Sequence, residues 1–155
     1  MKNKILSFTL LMFVSIAFFS CDKEDFLSGT MSAKVDGTSW SSATQVTLLK
    51  NDMFFITGTS MSGQIMEITI VGTTTGTFEL DVAGVQAGCG AVYKPSVTEE
   101  SENFASKEGV VVITEVTDET ISGTFEFSMT NTSLDNTVEI TDGKFDNLPY
   151  TNKDE

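Results

Sequence analysis

The chain has 155 residues, a length that predicts one domain rather than a multi-domain protein. Nine lysines and no arginine stand against 22 acidic residues, so the formal net charge is −13, and a surface this acidic repels phosphate backbones and excludes nucleic-acid binding. The chain contains no histidine, which excludes Ser-His-Asp and Cys-His catalysis and imidazole metal ligands. We therefore expect no enzyme activity, no catalytic residue, no metal site and no cofactor.

Residues 1–20 are expected to form a signal peptide. Two lysines near the start precede an uncharged apolar run over residues 5–19, which is shorter than the roughly 20 apolar residues of a membrane-spanning helix. Ser20 and Cys21 follow, and a small residue before a cysteine at this point resembles a lipobox. The resemblance implies that signal peptidase II cuts before Cys21, whose thiol then carries a diacylglycerol and whose new amine is acylated. An ordinary secretory signal that contains a cysteine is the alternative.

The four residues after this cysteine, Asp22, Lys23, Glu24 and Asp25, resemble the surface-export signal of Bacteroidota lipoproteins. The resemblance implies a lipoprotein of the outer membrane, displayed at the cell surface. One alternative is a plain polar tether over residues 21–28. Another is retention in the inner membrane, which an aspartate directly after the lipidated cysteine, here Asp22, signals in enterobacteria. Each buried methylene adds about 0.8 kcal/mol, so two or three acyl chains would hold the protein in a membrane essentially permanently.

Residues 29–148 alternate β-branched and aromatic runs with turn residues, and we expect a single β-domain. The clearest unit is the hairpin signal Asp36-Gly37, since both positions of a two-residue turn need positive φ. This turn would place Ala33 opposite Trp40. Paired residues share a face, so Trp40 is predicted to be a core residue rather than a binding-site aromatic.

Three strands are predicted next, over residues 45–49, 53–58 and 64–71. The second is apolar at four successive positions, so one of Phe54 and Phe55 should face outward or into a second sheet. The third alternates regularly, which places Met66, Ile68 and Ile70 on one face.

Strands are then predicted over residues 77–80 and 91–94, with a segment of small residues over 81–90 between them. Residues 96–108 form the one long polar stretch, and Phe104 is its only large apolar residue. Loops of this length are uncommon in compact domains and are either functional or mobile. We therefore expect a loop here that contributes to contacts.

The last strands are predicted over residues 110–116, 121–129 and 137–148, with a break at Asp142-Gly143 and a polar tail over residues 149–155. Nearly all links are short, which implies antiparallel neighbours in a meander of about nine or ten strands. Such a sheet must close on itself or fold into two layers to bury one face. The predicted fold class is all-β, as a two-sheet sandwich or a flattened up-and-down barrel.

Five short segments of turn and strand residues follow one another in the body of the chain, over residues 31–40, 55–59, 76–80, 121–127 and 138–145. Their order resembles an uncharacterised domain family of Bacteroidota lipoproteins, over most of residues 29–148. The resemblance implies a secreted, lipid-anchored β-domain. It implies no activity, because the function of that family is unknown.

Few side chains remain that could act as a reactive thiol or as ligands of a metal ion. Cys89 lies between two glycines and is either a reactive thiol or, as we expect, a buried small residue. Asp142, Asp146 and Asn147 are close together, but they do not follow the spacing of a calcium loop, and we expect them to serve turns.

Two functional hypotheses follow. The first is a surface-displayed binding or interaction module without catalysis, which contacts a glycan or a protein partner. A sugar site would present a flat exposed ring, and the candidates are Tyr93, Phe104 and Tyr150. The second is a structural envelope lipoprotein with no ligand. A closed barrel around an apolar cavity would instead indicate a small-molecule carrier.

Overall fold

A computed structural model describes residues 29–80, 88–131 and 133–153, and ten β-strands account for most of them. The strands are β1 (Thr30–Val35), β2 (Thr38–Ser41), β3 (Thr44–Lys50), β4 (Met53–Thr59), β5 (Ile65–Val71), β6 (Gly76–Glu79), β7 (Gly90–Lys94), β8 (Phe104–Val116), β9 (Thr120–Asn131) and β10 (Asn136–Asn152). A single 3-10 turn spans Glu100–Glu102. The predicted all-β class is confirmed. Within these ranges, no helix is long and apolar enough to cross a membrane.

The ten strands form one hydrogen-bonded sheet in the order β2-β1-β10-β3-β4-β5-β7-β8-β6, and β9 pairs with both β8 and β10. Seven of the strands are thereby linked in a closed circuit of pairings. Two ladders of the circuit are short, with two residue pairs between β7 and β8 and three between β10 and β3. The sheet therefore curves round on itself without forming a clean barrel.

The ladder between β10 and β3 is parallel, which is an exception to the antiparallel neighbours predicted for the meander. β10 runs past the end of its ladder with β9 and continues alongside β3, and the chain between these two strands is long enough to allow a parallel pairing. The other ladders between described strands are antiparallel, as predicted.

The hairpin predicted at Asp36-Gly37 is confirmed. The two residues have φ angles of 48° and 75°, and Ala33 lies opposite Trp40. The Trp40 side chain is 4% exposed and belongs to the core. The Asp36 carboxylate also accepts a hydrogen bond from the backbone N–H of Glu139 at 2.9 Å, which ties the hairpin to β10.

Regular alternation along β4 and β5 builds one wall of the core. Phe54, Ile56, Met66, Ile68 and Ile70 all point inward and are each 1% exposed or less. The predicted common face of the three β5 residues is confirmed, and so is the prediction that one of the two adjacent phenylalanines, Phe55, faces outward.

Three phenylalanines from β9 and β10 fill the other side of the interior. The ring of Phe125 stacks on that of Phe127, with centroids 5.3 Å apart, and on that of Phe145 at 6.3 Å. Stacked aromatic pairs stabilise a core by about 0.5–1.5 kcal/mol beyond their buried area. Large side chains therefore occupy the space that the curved sheet encloses.

The loop predicted over residues 96–108 is wrong in its second half, because β8 begins at Phe104. Phe104 is paired with Tyr93 of β7 and is 8% exposed, so this ring is a core residue. A β-bulge between Ser106 and Glu108 shifts the register. A bulge places two successive residues against one partner, and both Lys107 and Glu108 are exposed. Because these two polar residues interrupt the alternation of the strand, its sequence resembles a polar loop.

The polar tail predicted from residue 149 is also wrong at its start, because β10 continues to Asn152. Tyr150, Thr151 and Asn152 lie opposite residues 47–49 of β3. The predicted break at Asp142-Gly143 is a β-bulge inside a continuous strand, with Asp142 at a φ of 52°. Both errors arose because proline and Asp-Gly are usual strand terminators but are tolerated at bulges and edges.

Candidate interaction surface

Cys21, Asp22, Lys23, Glu24 and Asp25, the predicted lipidation site and export signal, lie outside the described residues. The structure does describe the three predicted sugar-binding rings. Tyr93 and Phe104 are 4% and 8% exposed, and their ring centroids are 6.3 Å apart inside the core. Neither ring presents a flat face to solvent, so the expectation that they are exposed is wrong. Each faces inward because it alternates with outward neighbours along its strand. The strand of Tyr93 was predicted over residues 91–94, whereas that of Phe104 was interpreted as a loop.

Tyr150, the third candidate ring, is half-buried and held at both ends. Its ring packs edge-to-face on Phe54, with centroids 5.3 Å apart, and its hydroxyl donates a hydrogen bond to the Thr117 carbonyl at 2.8 Å. It borders a polar depression of about 520 Å³ together with Asp118, Thr151 and Asn152. This arrangement closes the end of the core rather than offering a free ring face.

Burial of the Tyr93 phenol has a consequence at alkaline pH. Burial is the largest of the causes that raise the pKa of Tyr93, and the charge of Asp36 adds to it. The neutral phenol therefore stabilises the fold fully below the unfolded pKa of about 10 and loses this effect as pH rises above it. Between the unfolded and folded pKa values, we expect this group to make stability fall as pH rises, with a slope of at most about 1.4 kcal/mol per pH unit. Tyr93→Phe should remove that part of the slope.

The measurement is urea unfolding of the purified chain and of Tyr93→Phe between pH 8 and the alkaline limit. All other ionisable groups are common to the two chains, so their effects cancel in the difference between the two curves. Curves that remain parallel across this range would show that Tyr93 ionises equally easily in the folded and unfolded chain.

The residues weighed for thiol or metal chemistry have structural partners. Cys89 is buried, as expected, and its sulfur accepts a hydrogen bond from the Val71 backbone N–H at 3.4 Å. Asp142 forms an ion pair with Lys34 at 2.7 Å, which raises the pKa of that lysine, and Asp146 forms one with Lys144 at 3.1 Å. Asn147, like Asp142, has positive φ, so these residues belong to β-bulges in β10. Among the described residues, no group of three or more His, Cys, Asp or Glu is placed to hold a metal.

The most distinctive surface of the domain is apolar. Seven outward side chains on β3, β4, β5 and β7 share it, and we call it the apolar face: Val46, Leu48, Met53, Phe55, Ile65, Val71 and Val92. They alternate with inward residues and lie outside the core cluster and its partly buried neighbours. Val46 is 58% exposed and Val71 36%, and the other five are half-buried.

Strand register brings five of these seven side chains together. Leu48 lies opposite Phe55, and Met53 lies opposite both Lys50 and Val71. Directly paired side chains on one face have Cβ atoms about 4.5–5.5 Å apart, so Leu48, Met53, Phe55 and Val71 form one patch with Val46 at its end. Ile65 lies between Thr59 and Lys94, and Val92 lies opposite Glu67, so these two border the patch across polar side chains. Contiguous exposed apolar surface of this kind marks contact sites for proteins or membranes.

The sequence contained only part of the signal for this face. The four successive apolar residues at the start of β4 predicted that one phenylalanine faces outward, and Phe55 is that residue. The contributions of Val46 and Leu48 were missed, because β3 alone does not reveal which of its alternating faces is inward. Pairing the apolar run of β4 with the preceding strand would have identified them.

A cleft of about 320 Å³ borders the apolar face where β7 and β8 separate. The two strands pair at Val92–Ala105 and at Tyr93–Phe104, and beside these pairs the Ala91 backbone N–H donates to the Ser106 hydroxyl at 3.0 Å. A side chain thus replaces the backbone acceptor where the ladder ends. The cleft widens the apolar face towards β8.

Charge is distributed unequally between the two sides of the domain. The outer surface of β6, β8, β9 and β10, which we call the acidic face, carries six exposed carboxylates: Glu79, Glu108, Glu115, Glu126, Glu139 and Asp142. Along β3, β4, β5 and β7 the described strand residues include one acid, Glu67, whose carboxylate forms an ion pair with Lys94 at 2.8 Å. The apolar face is therefore close to neutral in a strongly acidic protein.

Comparison with protein families gives one match. The family described as Domain of unknown function (DUF6252) matches residues 28–149, nearly the whole described domain. The chain belongs to this family. No curated protein matches the DUF6252 chain, and no solved structure matches it. The match agrees with the predicted membership of an uncharacterised domain family, and it assigns no activity.

Proposed function

We propose that this DUF6252 protein is a lipid-anchored contact domain of the cell envelope, displayed at the cell surface, which works by binding rather than by catalysis. The observation that carries the proposal is the apolar face, seven outward apolar side chains on four adjacent strands. A domain with no contact to make has no need of such a surface, since exposed apolar patches favour aggregation.

The sequence supplies the anchoring half of the proposal. An apolar run too short to span a membrane ends at Ser20-Cys21, and Lys23, Glu24 and Asp25 follow closely. A diacylated and N-acylated Cys21 would hold the chain in a lipid leaflet. The domain would then act within the reach of residues 21–28.

The interior of the fold supports contact at the outer surface over the carriage of a small molecule. The enclosed space is filled by large side chains, among them Phe54, Phe125, Phe127 and Phe145. A glycan site built on Tyr93 and Phe104 lacks support, because both rings are buried. The apolar face is the remaining large surface with the character of a binding site.

Membrane fractionation together with mass spectrometry of the mature chain tests the anchor. The native protein should remain with the membranes and start at an acylated Cys21, whereas Cys21→Ala should appear in the soluble fraction. A native chain with an unmodified start, or with residues 1–20 still attached, would contradict the anchor.

Proteinase treatment of intact cells tests display. The native chain should be digested, while a chain with alanine at Lys23, Glu24 and Asp25 should be protected, because only the export signal has changed. Disruption of the cells before treatment is the control and should make both chains equally sensitive. Protection of both chains in intact cells would overturn surface display.

A further inference from the structure

We propose that the apolar face rests on the lipid surface of the membrane that carries the anchor. This inference rests on the proposed lipidation of Cys21 and assigns an occupant to the face. The domain would lie with β3, β4, β5 and β7 against the bilayer and with the acidic face towards the solvent.

The first argument is where the chain enters the fold. Gly29 is buried against Asn147 and Leu148 of β10, and its carbonyl accepts a hydrogen bond from the Gln45 side-chain amide. Gln45 directly precedes Val46, the most exposed member of the apolar face. The Gln45 side chain itself points to the opposite side of β3 from Val46, so Gly29 lies where the start of β3 meets β10, next to the strand that forms one edge of the apolar face.

The second argument is the length of the segment that leads to Cys21. Between Cys21 and Gly29 the chain can span at most about 28 Å, and β3, with seven residues, is itself about 23 Å long. The anchored domain therefore cannot move away from the membrane by much more than the length of its own face. A short tether also makes docking intramolecular, at an effective concentration in the millimolar range, so a modest apolar contact suffices to hold the face on the lipid.

The third argument is charge. The exposed carboxylates Glu108, Glu126 and Glu139 lie on the opposite surface, where water and salt screen them from anionic headgroups. On the apolar side Glu67 is neutralised by Lys94. Lys50 is exposed at the end of β3 opposite Met53, and its long side chain reaches towards phosphate while its methylenes stay with the apolar side chains. Of the two faces, only the apolar one can approach a lipid surface without large electrostatic repulsion.

The test uses the mature lipidated chain in phosphatidylcholine vesicles whose acyl chains carry bromine, a short-range quencher of tryptophan. Phe55→Trp places a reporter in the apolar face, and Thr124→Trp places a matched reporter at an exposed site of the acidic face. The native Trp40 is buried and common to both chains, so it contributes a constant background. Unbrominated vesicles provide the reference emission.

An apolar face in the interface lies about 5–10 Å into the boundary of headgroups and acyl chains, so the emission of the Phe55→Trp reporter should fall about twofold. The Thr124→Trp reporter should keep its emission. Adding Val46→Glu to Phe55→Trp should restore the emission, because a carboxylate at this exposed position would have to lose its water for the face to enter the interface, while the core is not disturbed.

Three results would overturn the inference, and flotation of the vesicles separates them. Equal emission of both reporters, with the chain still floating with the vesicles, would leave the anchor intact and exclude docking of the face. A chain that does not float would refute the anchor of the proposed function as well. A Phe55→Trp reporter that is shielded from acrylamide but not quenched by bromine, in a chain that cross-links to itself, would identify a second copy as the occupant.

Discussion

Replacement of Phe54 by alanine should lower the free energy of unfolding by about 3–5 kcal/mol, whereas replacement of the adjacent Phe55 should lower it by about 1 kcal/mol or less. Phe54 is 0% exposed and also supports the ring of Tyr150. Phe55 points outward into the apolar face, so its truncation leaves no cavity in the core. The two phenylalanine variants therefore compare the stability contributed by the inner and the outer side of the same strand.

Urea unfolding of the two single variants and of the native chain measures this difference. The slope of free energy against urea should be similar in all three chains, because each exposes nearly the same surface on unfolding. In a thermal melt, Phe54→Ala should shift the midpoint by more than about 10 °C. If both variants lost the same stability, Phe55 would be packed against protein and the apolar face would be covered by the chain itself.

The hairpins of this fold could be predicted from the sequence because their signals are local. A two-residue turn fixes register on both sides, so Asp36-Gly37 determined the position of Trp40 opposite Ala33. Alternation in β5 likewise assigned Ile68 to the core. In each case the residues that carry the signal lie within a few positions of the residue whose environment they predict.

The errors concern bulges and long-range pairing. The bulges near Lys107 and at Asp142 interrupt the alternation of inward and outward side chains. The start of β8 was therefore interpreted as a loop, and β10 was interpreted as a broken strand. The parallel pairing of Tyr150 with Thr47 joins residues that are distant in the chain, and no local pattern encodes it. Buried aromatics in misplaced strands, above all Phe104, were consequently interpreted as exposed.

The candidate site was recognised only in part for the same reason. A surface that spans four strands depends on which strands are neighbours, and the sequence gives the alternation within each strand but not the direction of its inward face. Phe55 stood out because β4 is apolar on both faces. Val46 and Leu48 can be recognised as part of the apolar face only once β3 is known to pair with β4, which places them beside Phe55.

Replacement of Gly143 by alanine should destabilise the fold by about 1–3 kcal/mol, the range for overpacking a filled core. An added Cβ would overlap the carbonyl oxygen and the ring of Phe125, which lies directly opposite on β9. That ring cannot move aside easily, because it is stacked on both Phe127 and Phe145. The bulge in β10 therefore requires a residue without a side chain at this point.

Gly90→Ala is the matched control, since no atom lies within 4 Å of the Cβ it would add. This variant should be neutral or stabilised by about 0.4–1 kcal/mol, because alanine restricts the unfolded chain. Urea unfolding of both glycine variants and of the double variant Phe125→Leu with Gly143→Ala completes the test. The double variant should lose about 0.5 kcal/mol less than the sum of its single changes, since the smaller side chain relieves the overlap with the ring but not the overlap with the backbone carbonyl oxygen. Additive losses would show that the clash with the Phe125 ring does not limit what position 143 can hold.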